Sequence, residues 1–219
     1  MNGLWETLPT GARHYKCEQG SPEWYFARRG IPTASEFKRI MTQTRFELSE
    51  GADEYINDLI GETQSERLPE SVENYTSRAM RFGQETEAEA RIYFERNGLE
   101  ARKCGFILSP DGRYGCSPDA LVYADGELVG GLELKCPTEK VHTRYLRGGV
   151  LPNDHRGQVH GGMIATVLKR WWFMSYCPFM GKLKSFETSV VPDTYTSSLK
   201  KAVDEFCDRY DNAKAALGI

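Results

Sequence analysis

Apolar positions in the first hundred residues recur three and four apart. The stretch Thr33-Ala34-Ser35-Glu36, where Ser or Thr can cap a helix, is followed by Phe37, Ile40 and Met41. The spacing predicts a helix there, a second over Asp53 to Glu62, and a third from Ser77 to Asn97. That third segment carries Ala79, Phe82, Ala90, Tyr93 and Phe94 at roughly helical spacing and stops at Gly98. Between the second and third, Thr63 to Thr76 is polar, contains a proline and reads as loop.

The pattern then changes to short apolar runs. These are Phe106-Ile107-Leu108, Ala120-Leu121-Val122-Tyr123 and Gly131 through Cys136. Asp125-Gly126 lies between the last two and signals a tight hairpin, because both residue types tolerate positive φ. A helix fits Asp154 to Leu168, although its glycines weigh against it. Strands are predicted at Trp171–Tyr176 and Ser185–Val191, and an amphipathic helix from Thr194 to Leu217 closes the chain. This order describes an α/β fold with a sheet flanked by helices. No repeat or linker divides the 219 residues, so one domain over 1–219 is expected.

Composition narrows the classes. Hydrophobic residues make up 40% of the chain, enough for a core, and no apolar run approaches the ~20 residues that span a bilayer. The first residues lack the basic and apolar regions of a signal peptide, so a soluble intracellular protein without a membrane partner is expected. The six cysteines form no CxxC pair and no zinc-finger spacing with histidine, which points to reduced thiols packed as small hydrophobes. The four histidines likewise show no paired metal spacing. Net charge is −3, but it is unevenly spread. Arg13 to Arg45 holds seven basic and three acidic residues, whereas Phe46 to Glu100 holds fourteen acidic and five basic ones. A basic end permits local attraction of a polyanion.

The chemistry concentrates in Ser117-Pro118-Asp119 and, fourteen residues on, Glu133-Leu134-Lys135. Residues two apart on a strand share a face, so Glu133 and Lys135 point the same way. If the hairpin pairs Ala120–Tyr123 with Leu132–Lys135, Asp119 falls within reach of Glu133. Two carboxylates and an ammonium at a sheet edge suit Mg²⁺, which takes one or two carboxylates plus water and phosphate oxygens. Such a set can serve metal-assisted phosphodiester hydrolysis. Exposed Glu/Lys alternation on a strand is more commonly a solvated face, so the pattern alone leaves both readings open.

A resemblance separates them. Glu18-Gln19-Gly20-Ser21-Pro22-Glu23-Trp24, followed by Arg28-Arg29-Gly30-Ile31-Pro32-Thr33-Ala34-Ser35, resembles the opening motif of phage lambda-type exonucleases. These belong with the YqaJ-like viral recombinases in the PD-(D/E)XK nuclease superfamily. The likeness continues through Gly83-x3-Glu87-x2-Ala90, Cys116-Ser117-Pro118-Asp119, Leu132 to Pro137, Arg147-Gly148-Gly149 and Gln158-Val159. It implies a restriction-endonuclease-like core, with a central mixed sheet flanked by helices.

The resemblance also implies roles. Asp119 would bind two Mg²⁺ ions, with Mn²⁺ as a substitute. Glu133 and the Leu134 carbonyl would complete the tighter site, and Glu87 would serve from the helix. Lys135 and Gln158 would orient the attacking water. Arg28, Ser35 and Ser117 would hold a 5′-phosphate, Arg45 would grip the strand nearby, and Met80 would split the terminal base pairs. The implied activity is 5′→3′ digestion of one strand at double-stranded DNA ends, leaving a 3′ overhang. The implied partners are two further copies in a ring-shaped homotrimer and a phage single-strand annealing protein. The setting would be the cytoplasm of a bacterial host, with a phage or prophage gene. Two positions depart from the pattern: Ala120 stands where the family commonly has Gly, and Glu85 competes with Glu87 for the helix role. Rival readings are a structure-specific or restriction-type endonuclease with the same metal site, and a non-catalytic protein that binds DNA ends.

Overall fold

In the computed structural model the described residues are 4–42, 45–65 and 78–219, the side chains of 78–85 excepted. The chain opens with β1 (Trp5–Thr7), β2 (Arg13–Tyr15) and α1 (Pro22–Arg28), followed by a 3-10 helix over Ala34–Arg39. Next come α2 (Ala52–Gln64), α3 (Arg78–Phe94), β3 (Glu100–Arg102), β4 (Phe106–Leu108) and β5 (Gly115–Cys116). The second half contains β6 (Ala120–Ala124), β7 (Glu127–Lys135), α4 (Glu139–Gly148), α5 (Asn153–Thr166), β8 (Trp171–Tyr176), β9 (Ser185–Val190) and α6 (Thr194–Leu217).

Two sheets form. One has five strands in the order β3-β6-β7-β8-β9, and the other has four in the order β1-β2-β4-β5. The larger is mixed: β7 and β8 run parallel, and its other pairs are antiparallel. The parallel step requires a long crossover, which α4 and α5 supply. Asp125 and Gly126 both take positive φ, 50° and 84°, so the β6–β7 hairpin turns where predicted. Its pairing differs from the expected one: Ala120–Tyr123 pairs with Leu132 back to Leu128 and not with Leu132–Lys135, and a bulge after Val122 shifts the register.

Apolar clusters cover both faces of the larger sheet. On one face Phe173 and Trp171 pack with residues of α2, α5 and α6, among them Leu59, Met163 and Phe206. On the other, Leu132, Leu134, Met174 and Tyr176 pack with Ala90 and Phe94 of α3. The glycines of α5 mark close approach. A Cβ on Gly161 would lie 2.6 Å from the Phe37 ring, and one on Gly162 would lie 2.5 Å from the Trp171 ring. The helix is pressed against the 3-10 segment and β8, and this tertiary gain overrides the low propensity of glycine.

Several expectations need correction. The run after Thr33 is a 3-10 helix and not an α-helix, held at its start by a parallel bridge between Thr33 and Gly115. The third helix ends at Phe94 and passes through one 3-10 turn to Gly98 at φ 80°. Residues 66–76 of the predicted loop lie outside the described residues. Among the described residues, no helix is long and apolar enough to cross a membrane.

Candidate active site

The β6–β7 hairpin builds one end of the site. Ala120 pairs with Leu132, so Asp119, one residue earlier, comes opposite Glu133. Asp119 donates its N–H to the Leu132 carbonyl at 3.1 Å, and its Oδ2 accepts the N–H of Leu134 at 2.6 Å. Its carboxylate therefore takes the place of a strand partner beyond the end of the ladder. The N–H and C=O of one strand residue point to the same neighbour, so the Leu134 carbonyl also turns toward this side.

Glu133 is only 2% exposed, and Lys135 on the same face donates its ammonium to Glu133 Oε1. Burial pushes the Glu133 carboxyl up, to about 8, against the pull of Lys135 and with the Asp119 charge adding to the rise. Burial also raises Asp119, opposed by Lys135 and the Leu134 N–H. Burial alone would lower Lys135, but the charges of Glu133 and Asp119 raise it well above the ordinary lysine range.

Glu87 of α3, half-buried, is raised by burial and by the charge of Asp119. Its helix packs on the face of the sheet that carries Leu132 and Leu134, away from Glu133 and Lys135. Among the described residues, no three carboxylate, imidazole or thiol groups close into a metal-holding cluster, so Glu87 does not complete one here. Asp119 and Glu133 nevertheless share one nearby cation, Lys135, whereas Glu87 also feels Lys103 and Arg91. That deficit of positive charge, with two carboxylates and a carbonyl facing one side, fits a hard divalent cation that keeps several waters.

Asp119, Glu133 and Lys135 line a cavity of about 260 Å³, together with Gln158 of α5. Its other end is formed by Arg28, Trp24, Thr33, Ser35 and Ser117. Ser21 caps α1 by accepting the Trp24 N–H at 3.3 Å, and Pro22 suits the first helical position. The short helix carries Trp24 and Arg28 one turn apart. The Trp24 indole N–H donates to Ser117 Oγ at 2.8 Å, and the Arg28 guanidinium lies over the indole at 4.2 Å. Arg28 Nη2 donates to Thr33 Oγ1 at 3.1 Å, and that oxygen lies 3.3 Å from Ser35 Oγ. An arginine fork beside hydroxyls is suited to phosphate oxygens.

Seven sequence candidates thus share one cavity: Asp119, Glu133, Lys135, Gln158, Arg28, Ser35 and Ser117. Arg45 is exposed and does not line it. The side chains of Met80 and Glu85 fall outside the described residues. Gln19, Trp24 and Thr33 also line the cavity, although neither spacing nor resemblance assigned them a site role. The histidines take structural partners: His142 bonds Ser175 and Leu183, and His160 bonds Thr196. All six cysteines are free.

A central mixed sheet flanked by helices, with a carboxylate pair and lysine on neighbouring strands, defines the PD-(D/E)XK class of fold. The family model described as YqaJ-like viral recombinase domain matches residues 23–169, and the chain belongs to that family. It is similar to the alkaline exonuclease LHK-Exo from Laribacter hongkongensis at 25% identity and a TM-score of 0.75, over 90% of this chain and 96% of that one. A second structure of LHK-Exo, in complex with dAMP, aligns at 24% identity and a TM-score of 0.70, over 90% and 98% of the two chains. A phage-related exonuclease from Haemophilus somnus 129PT shares the fold at 10% identity and a TM-score of 0.59, over 85% and 96%. Among curated protein sequences, none matches the chain.

Proposed function

We propose that this chain is a metal-dependent deoxyribonuclease that degrades one strand of double-stranded DNA from its 5′ end and leaves a 3′ single-stranded overhang. The observation that carries this reading is one cavity with a carboxylate–lysine wall at one end and an arginine–hydroxyl cluster at the other. Membership of the recombinase family and likeness to an alkaline exonuclease support it. LHK-Exo was solved with dAMP, and a mononucleotide of that kind is what such a cavity would release.

Asp119, Glu133 and the Leu134 carbonyl would hold Mg²⁺, with Glu87 acting from the far face of the sheet and Mn²⁺ as a substitute. When bound, the ions supply Lewis-acid stabilisation of charge on the phosphoryl oxygens. The side chains of the protein do the positioning. Arg28, Ser35 and Ser117 hold the terminal 5′-phosphate, which decides which phosphodiester reaches Asp119 and Glu133. Lys135, steadied by Glu133, and Gln158 orient the attacking water. We assign Arg45 to the duplex backbone and Met80 to strand separation. A homotrimeric ring around DNA would keep a chain of net charge −3 on its substrate by topology. The overhang would pass to a phage annealing protein in the host cytoplasm.

Linear duplex labelled separately on each strand provides the test. Expected is Mg²⁺-dependent release of mononucleotides from the 5′-phosphorylated strand, with the complement intact and the reaction stopped by chelation. Cutting of covalently closed circles would instead make the protein an endonuclease. Binding of ends without cleavage would make it an end-binding protein.

A further inference from the structure

We propose that Gln19 is a positioning residue for Asp119, an inference that rests on the metal-dependent reading above. Its amide nitrogen donates to the Pro118 carbonyl at 2.7 Å and to the Cys104 carbonyl at 3.0 Å. Carbonyls only accept, so the sense of the amide is fixed and both of its hydrogens are used. The Pro118 carbonyl receives the Cys104 thiol as well, at 3.2 Å. This carbonyl belongs to the peptide that leads into Asp119, and its direction sets the angle at which that residue leaves the turn.

β7 holds Asp119 from one side only, through the Leu132 carbonyl and the Leu134 N–H. Gln19 supplies the opposing hold. Without it, the Pro118–Asp119 peptide keeps its N–H bond to Leu132, but its carbonyl is left with the weak thiol donor. The peptide can then tilt about that N–H bond and carry the carboxylate with it. Gln19 also precedes α1 by three residues, and α1 carries the Trp24 that bonds Ser117. One short segment therefore grips residues 117 and 118 at two points and ties the arginine end of the cavity to the carboxylate end. Groups that hold a metal-binding carboxylate in this way are typically worth ~10–100-fold in metal affinity or activity.

Gln19→Met keeps the bulk without donors, and Gln19→Asn keeps the amide but shortens its reach. Mn²⁺ binding to the full-length variants, followed by electron paramagnetic resonance, is expected to weaken by ~10–100-fold. The turnover number should fall in parallel, with KM for DNA and the melting temperature nearly unchanged. Wild-type Mn²⁺ affinity in a folded variant would overturn the role of Gln19. Absence of Mn²⁺ binding by the wild-type chain would instead overturn the metal-dependent reading. Should both variants unfold, nitrogen-15 spectra of the wild-type protein decide. A Gln19 side-chain amide protected from exchange and shifted by Mg²⁺ supports the assignment; one that exchanges like a surface glutamine refutes it.

Discussion

The two ends of the cavity are built on different principles. The carboxylate end comes from one hairpin, with Asp119 and Glu133 on neighbouring strands and Glu133 only 2% exposed. Backbone hydrogen bonds fix it, and it sits where electrostatic interactions are strong. The arginine end comes from a seven-residue helix with no buried residue, a 3-10 turn and a loop. Side-chain hydrogen bonds among Trp24, Arg28, Thr33, Ser35 and Ser117 hold it together, and Ser35 is exposed. Chemistry on a phosphodiester needs fixed charges in a dry setting. Capture of a terminal phosphate needs donors that a polyanion can reach and leave. Under the proposed function, the division would place bond cleavage on the rigid sheet and recognition on the surface.

Breaking the carboxylate end gives the largest expected effect. Asp119→Asn and Glu133→Gln should each lower the turnover number by several kcal/mol of barrier, on the order of 10³-fold or more, while DNA ends still bind. Strand-specific gels and a mobility-shift assay separate the two quantities. Substantial digestion by Asp119→Asn would remove the catalytic assignment of this end.

Breaking the arginine end should cost less, and selectively. Hydrogen bonds to a charged group contribute ~1.5–3 kcal/mol, so Arg28→Ala should slow digestion of 5′-phosphorylated ends by roughly 10–100-fold. Ends that carry a 5′-hydroxyl should be digested at nearly the wild-type rate by this variant. Equal slowing on both substrates would show that Arg28 supports the fold and does not read the phosphate.

The two ends also differ in how legible they were. The carboxylate end was readable in part because strand alternation and a two-residue turn are local rules, and Asp125-Gly126 closed the hairpin. A bulge between Val122 and Tyr123, however, shifts the pairing by one residue, and only that shift brings Asp119 opposite Glu133. The arginine end yielded its residues only through resemblance, because its partners lie far apart in the chain. Trp24 meets Ser117 across 93 residues, and Gln19 meets Pro118 across 99. Helix α1 buries nothing, so it has no apolar period, although Ser21-Pro22 is a start signal that could have revealed it. α4 also went unpredicted, with just two buried residues, His142 and Tyr145. The three-residue strands β1 and β2 are too short to alternate visibly.

Acidity should sharpen the contrast, with effects of a few degrees in melting temperature. Burial raises the Glu133 carboxyl to about 8 in the folded chain, above its ordinary value. The folded state then holds the proton more tightly than the unfolded one. Its contribution to stability is full below about 4.5 and is lost as pH rises through about 8. The Glu133 contribution in metal-free protein should therefore fall between about pH 4.5 and about pH 8 and be gone above that, Mg²⁺ should reverse the loss, and Glu133→Gln should flatten the curve. His155 and His160 act with the opposite sign. Burial lowers both to about 4, so their contribution is present above about 6.5 and disappears as pH falls through about 4. A melting curve of metal-free protein that rises steadily toward alkaline pH would contradict the state assigned to Glu133.

The smallest expected effect probes how firmly the arginine end is joined to the loop that carries Asp119. Trp24→Phe keeps a ring under the Arg28 guanidinium but removes the indole N–H that donates to Ser117 Oγ at 2.8 Å. One neutral hydrogen bond is worth ~0.5–1.5 kcal/mol, equivalent to roughly 2–10-fold. KM for 5′-phosphorylated ends should rise by that factor, because Ser117 then turns freely in the pocket. The turnover number should stay close to wild type, since Asp119 keeps its bonds to Leu132 and Leu134. Trp24→Ala removes the platform under Arg28 as well and should approach the effect of Arg28→Ala. If Trp24→Phe instead lowers turnover and leaves KM alone, the indole serves the carboxylate end through Ser117, and the division between the two ends is less complete than their geometry implies.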